Sequence, residues 1–257
     1  MDKGSISGVI LAIAGIFAGL LIEGGRLSQI LQPTAALIVF GGTMGATLLQ
    51  FPLGTVGAAF RRMTQVFVAP RKENEQLVQQ LVSFANKARR DGVVSLDADL
   101  ASVTDPFLKQ ALMLAVDGTE PTDLRKIMRV ALDCTSEREE RLPMVFESAG
   151  GFSPTIGILG AVLGLIQVMQ HLDNIQEVGR GIAVAFVATI YGVGLANLFF
   201  LPFAGKIRIH LREGQQRREM VLEGVISILE GMNPRMLELK LSGFLNDSET
   251  TQKEAAA

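Results

Sequence analysis

Charge disappears from four stretches of this chain and returns between them. Residues 6–22 and about 35–53 contain no charged side chain, and neither do residues 152 to about 172 or 182 to about 205. Each is close to the 17–25 residues that cross a hydrocarbon core of ~30 Å at 1.5 Å per residue. The pattern predicts an all-α membrane protein with four transmembrane helices. The first stretch has the length of a signal peptide. However, Glu23-Gly24-Gly25-Arg26 follows it where a small-x-small cleavage site would stand, so a retained span is expected.

Between the second and third stretches, the apolar positions take a helical period. Leu77, Leu81, Phe84, Ala85 and Ala88 recur between charged residues. Asp105-Pro106 reads as an N-cap followed by a first-turn proline, opening a helix to about Val116. Thr119 to Pro121 opens another, with Leu124, Ile127, Met128 and Ala131 on one face and an expected end near Phe146. The fourth stretch is expected to continue as a basic helix to Leu229, and the tail beyond Leu245 to be disordered. Five segments follow: spans 1 and 2 in 1–53, a helical cytoplasmic domain in 54–151, and spans 3 and 4 in 152–205. A cytoplasmic helical extension in 206–245 and a disordered tail in 246–257 complete the chain.

Basic residues orient these segments. Lys or Arg stands at 61, 62, 71, 72, 87, 89, 90, 109, 125, 126, 129, 138 and 141 in the insertion, and at 206, 208, 212, 217, 218, 235, 240 and 253 in the tail. The connections after the first and third spans hold only Arg26 and Arg180. This bias places the insertion and both termini in the cytoplasm, in a multi-pass inner-membrane protein.

Composition narrows the chemistry. With 48% hydrophobic and only 19% charged residues, the 257-residue chain departs from soluble enzymes. A net charge of −2 gives no field for nucleic acid. Cys134 is the single cysteine, read as a small residue in a helix interior. His171 and His210 are far apart, so no metal centre, cofactor or catalytic constellation is expected. No Asp, Glu, Lys or Arg lies in any span, and ionisable residues at membrane depth usually mark ion paths. If the protein moves ions, another chain must bring the carboxylate.

The spans carry Ser153, Thr155, Thr189, Tyr191 and Asn197, whose simplest use is bonding helix carbonyls. The pairs Gly15/Gly19, Gly41/Gly45 and Gly160/Gly164 permit close helix packing. Pro154 and Pro202 sit at the cytoplasmic ends of spans 3 and 4, as helix punctuation or as kinks forming a hinge.

Several segments together resemble the MotA/PomA family of flagellar motor stator proteins. They are Ser153-Pro154-Thr155-Ile156-Gly157 with Gly160 and Gly164-Leu165, then Ala183-Val184-Ala185, Thr189-Ile190-Tyr191-Gly192, Ala196-Asn197 and Leu201-Pro202. Gly41-Gly42-Thr43 and Gly231-x-Asn233-Pro234-Arg235 add to the likeness. The resemblance implies a homopentamer around two copies of a MotB-like, single-span, peptidoglycan-anchored partner that carries the ion-binding aspartate. It also implies torque on the rotor protein FliG, bacterial motility and a membrane-lipid environment. Pro154, Ala161, Thr189, Tyr191 and Pro202 fall on ion-pathway or torque positions. Arg89 and Asp97, eight apart, fall on the rotor-contacting charges, with Arg90 and Asp99 as neighbours; Asp97 stands where many relatives have Glu. Sodium-driven relatives carry threonines where this chain has Ala161 and Ala188. The loss of these hydroxyls favours protons as the coupling ion over sodium, which prefers oxygen ligands. An ExbB/TolQ-type proton-driven transducer is the alternative, but those have three spans with the large cytoplasmic part after the first.

Overall fold

The computed structural model describes residues 3–65 and 73–254. Helices α1 (Lys3–Ile22), α2 (Pro33–Gln50), α3 (Leu53–Gln65) and α4 (Glu73–Asp91) come first. They are followed by α5 (Pro106–Val116), α6 (Pro121–Gln170), α7 (Ile175–Leu195), α8 (Leu201–Leu229) and α9 (Pro234–Glu254). Short 3-10 turns occupy Leu27–Gln29 and Val93–Asp99, and a π-helical turn, Ala196–Phe200, joins α7 to α8. No strand occurs among the described residues. Among the described residues, three helical stretches are long and apolar enough to cross a bilayer: Pro33–Gln50, and parts of Pro121–Gln170 and Ile175–Leu229. A shorter apolar stretch, Ser7–Ile22, lies within α1.

The chain forms two compact units, one from residues 1–69 and 140–209, the other from 70–139 and 210–257. In the first, Ala35 and Val39 of α2 are fully buried and pack with Val187 and Ala188 of α7. Phe146 is 1% exposed and makes an edge contact with Phe60, their ring centroids 5.4 Å apart. Arg208 forms an ion pair with Glu147. The outer surface of this unit is apolar, with Leu11, Leu37, Leu49, Met169 and Phe186 largely exposed. A patch of that extent in water would drive association, whereas lipid tails accept it.

The second unit has an ordinary buried core. Leu81 of α4, Leu96, Leu108 and Leu112 of α5, Met128 of α6, Ile226 of α8 and Leu241 of α9 are among its side chains. The expected α4 face is buried in full: Leu77, Leu81, Phe84, Ala85 and Ala88 all belong to this core. Local chemistry starts and ends the helices. The Asp105 carboxylate accepts from the backbone N–H groups of Phe107 (2.9 Å) and Leu108 (3.1 Å), as the N-cap and Pro106 predicted. Gly231 takes φ +71°, a left-handed conformation that closes α8, and the Asn233 side chain accepts from Arg235 N–H at 3.0 Å to open α9. The Gly-x-Asn-Pro-Arg motif is therefore a helix stop followed by a helix start.

Five expectations change. α6 does not end near Phe146; it continues through Pro143 and Pro154 to Gln170. Each proline removes a backbone donor at about 3 kcal/mol. Burial of Val145, Phe146, Ala149 and Ser153 between and beside the prolines holds the helix together. The second apolar helix stops at Gln50, because Phe51 precedes Pro52 and takes an extended conformation (φ −122°, ψ 143°). α9 is helical to Glu254, where a disordered tail from 246 was expected. The docked Leu237 and Leu241 nucleate it, and the polar residues that follow propagate it at little further cost. Ile127 is 46% exposed, since the buried face of α6 runs through Leu124, Met128 and Leu132. Cys134 is exposed for the same reason.

Candidate functional site

The apolar α6–α7 hairpin is built on absent side chains. A Cβ placed on Gly157, Gly164 or Gly192 would lie 2.8, 2.8 or 2.6 Å from a backbone carbonyl oxygen of the facing helix. One on Gly160 would meet the Ala188 Cβ at 2.8 Å. The two backbones therefore touch, as small-residue spacing in membrane helices allows. The Gly160/Gly164 pair serves this contact. Gly15/Gly19 and Gly41/Gly45 face open space within this chain.

The polar groups in this unit are mostly satisfied by their own helices. Thr155 Oγ1 donates to Phe152 O (2.8 Å), Thr189 Oγ1 to Ala185 O (3.2 Å), and Asn197 Nδ2 to Val193 O (2.9 Å). Two side chains depart from this pattern. Ser153 is fully buried and Thr43 is 3% exposed, and the hydroxyl of neither has a hydrogen-bond partner among the described residues. Serine and threonine are ordinary residues in membrane helices, so the sequence carried no signal for either. The Tyr191 hydroxyl donates to Ile30 O (2.5 Å) and accepts from Gln32 N–H (3.4 Å), 161 and 159 residues away. Ala161, Pro154 and Thr189 are half-buried on α6 and α7, while Pro202 is exposed. Pro202 directly follows the π-helical turn, in which Leu201 N–H reaches back five residues to Ala196 O. A π-turn is one of the devices by which a helix accommodates a nearby proline, which has no N–H and crowds the carbonyl four residues before it.

In the second unit, the four candidate charges separate into two kinds. Asp99 is held by Lys87 at 2.7 Å, and Arg90 pairs with its neighbour Asp91 at 3.1 Å. Arg89 and Asp97 are exposed, and no ion pair engages either among the described residues. Gly92, at φ +84°, turns the chain between the helix carrying Arg89 and the 3-10 turn carrying Asp97. Buried Leu96 pins that turn to the core. The pair is thus displayed on a rigid corner.

Elsewhere in this unit, Glu223 of α8 is gripped by Arg125 of α6 and by Lys240 of α9 at 2.9 Å. Burial alone would raise its carboxyl pKa, but hydrogen bonds and charge from Arg125 and Lys240 outweigh that and hold it below the ordinary value. Arg218 binds Glu139 in a bidentate pair with both N–O distances 2.9 Å. Among the described residues, no three His, Cys, Asp or Glu side chains come together in a metal-binding group.

Comparison with known proteins gives this architecture a family. Residues 99–220 match the MotA/TolQ/ExbB proton channel family, and residues 6–92 match the motility protein A N-terminal family. The chain is 36% identical to motility protein A of Bacillus subtilis, over 95% of this chain and 91% of that protein. It is 31% identical to motility protein A of Helicobacter pylori over 99% of both chains, and 28% identical to the chemotaxis protein PomA of Vibrio alginolyticus over 97% of both. The solved MotAB structure of C. jejuni superposes with a TM-score of 0.89 at 31% identity, over 95% of this chain and 96% of that one. The flagellar MotAB stator complex from Bacillus subtilis gives 0.88 at 34%, over 98% and 99%. With two family models along its length and motility proteins matched end to end, the chain belongs to the MotA/TolQ/ExbB proton channel family, in its motility protein A group.

Proposed function

We propose that the chain is a stator subunit of the bacterial flagellar motor, forming with a MotB-like partner an ion channel that converts ion flow into torque. The observation that carries this reading is the α6–α7 hairpin: a packed membrane-type pair in a proton channel family, with no Asp, Glu, Lys or Arg in residues 152–170 or 182–205. A proton carrier has to be supplied from outside the chain, and MotB is the companion of MotA in the solved complexes. In this reading α1, α2, the apolar part of α6, and α7 are four spans, and both termini lie in the cytoplasm. Residues 54–151 and 206–245 form the cytoplasmic part, and five copies surround two partners. Protons are the coupling ion, because Ala161 and Ala188 withhold the hydroxyls a sodium site would use. Pro154, Thr189 and Pro202 lie along the ion-coupled hairpin. Arg89 and Asp97 face the rotor protein FliG, their unengaged charges setting encounter and register; Arg90 and Asp99 act on the rotor more weakly, since each is already paired.

The test is restoration of swimming in a stator-less bacterium by this chain with its cognate partner. Reversing Arg89 and Asp97 to Glu and Lys should abolish rotation while leaving membrane assembly intact. Rotation should persist when sodium is removed at constant proton-motive force. Full rotation after the double reversal would remove the rotor assignment, and loss of rotation without sodium would remove the proton assignment.

A further inference from the structure

α2 begins without a cap of its own. Its N-cap residue, Gln32, makes no side-chain cap hydrogen bond, and Pro33 at the first position has no N–H to offer. The connection into it is a polar turn that includes Arg26, Ser28 and Gln29, and it closes on a backbone bond from Gln32 N–H to Ile30 O at 3.1 Å. Tyr191 clasps that same turn from a distant helix. Its phenol donates to Ile30 O and accepts from Gln32 N–H, while its ring packs beside Ala35, Val39, Val187 and Ala188. An apolar ring with one polar tip suits the edge of a membrane, where one end is dry and the other finds partners.

We infer that Tyr191 is a positioning residue, which caps α2 from α7 and makes these two helices one moving body. Sliding α7 along α2 by a few tenths of an ångström would break the 3.4 Å bond from Gln32, and by about 1 Å the 2.5 Å bond to Ile30 O as well. The α6–α7 contact carries no side-chain hydrogen bond among the described residues, only apposed glycines. The Tyr191 hydroxyl is thus spent on backbone and is not an ion ligand. The structural half of this inference stands on geometry alone; its consequence for torque rests on the stator reading.

The test uses Tyr191→Phe, which removes only the hydroxyl, in the full complex with its partner. Amide hydrogen exchange across residues 27–35 should accelerate roughly three- to tenfold, as expected for loss of one or two hydrogen bonds. In a bead assay that counts stators as they engage, torque per stator should fall, while the proton-motive force giving half-maximal torque stays unchanged. Mere loss of assembly would lower the number of stators engaged and not the torque of each. Unchanged exchange across 27–35 overturns the tether. A shifted half-maximal force also overturns the inference, because it would place the hydroxyl in the ion path. If the wild-type complex fails to turn a stator-less motor, the stator reading fails, and the exchange measurement still decides whether Tyr191 caps α2.

Discussion

Gly192→Ala is the sharpest test of how the hairpin is packed. The added methyl would sit 2.6 Å from Ser153 O, where ordinary contact begins at 3.4 Å, so α6 and α7 must part locally by about 0.8 Å. The obstacle is backbone on a helix, with no side chain that can rotate away. Overpacking of this kind costs about 1–3 kcal/mol, against a gain of up to about 1 kcal/mol from replacing a mid-helix glycine. Gly194 provides the control. It lies two residues on, with nothing within 4 Å of an added Cβ, so alanine there should be neutral or stabilising. The apparent unfolding midpoint of the purified complex, at one heating rate, compares the two. Gly192→Ala should melt several degrees below Gly194→Ala, using about 2–4 °C per kcal/mol for a chain of this size. Equal midpoints, or a higher one for Gly192→Ala, would mean that the helices do not meet through this face.

Three further outcomes follow from the same geometry. Asp105→Ala should destabilise the second unit by about 1–2 kcal/mol, because two first-turn N–H groups lose their acceptor and Arg217 loses this ion-pair partner at 3.3 Å; Asp105→Asn should restore the cap but not the ion pair, as read by amide exchange in α5. The Glu223 carboxyl has a lower pKa folded than unfolded, so its pairing stabilises above the unfolded value and is lost as pH falls through the folded one. Exchange protection of α9 should therefore fall in acid below about pH 4, and Glu223→Gln should remove that dependence at a cost of about 1 kcal/mol near neutrality. Pro154→Ala and Pro202→Ala should each give an assembled complex with poor torque per stator; normal torque in both would reduce the prolines to helix punctuation.

What was legible in the sequence was local. The α4 stripe, the Asp105-Pro106 start and the continuation of the fourth apolar stretch to Leu229 each depend on neighbours within a turn or two, and each is present. What was not legible depends on partners elsewhere. The passage from charged to apolar residues near 150 suggested a new helix, but a change of surroundings is not a break in the backbone, and α6 runs through. Ile127 fits the apolar period about as well as Leu132, and only packing decides which is buried. Among the rotor candidates, the eight-residue spacing singled out Arg89 and Asp97 but left their neighbours Arg90 and Asp99 as sharers of the role. Folding separates them by seating Lys87 against Asp99. The Tyr191 tie spans 161 residues, beyond any local pattern.

In the proposed stator, the greasy scaffold and the proton carrier reside on different polypeptides. Proton flux into liposomes under a fixed voltage tests this division most directly, with this chain reconstituted alone and then co-assembled with its MotB-like partner. Flux above the lipid background is expected only for the co-assembly, and should be lost when the partner's membrane aspartate is changed to asparagine. Equal flux from this chain alone would contradict it.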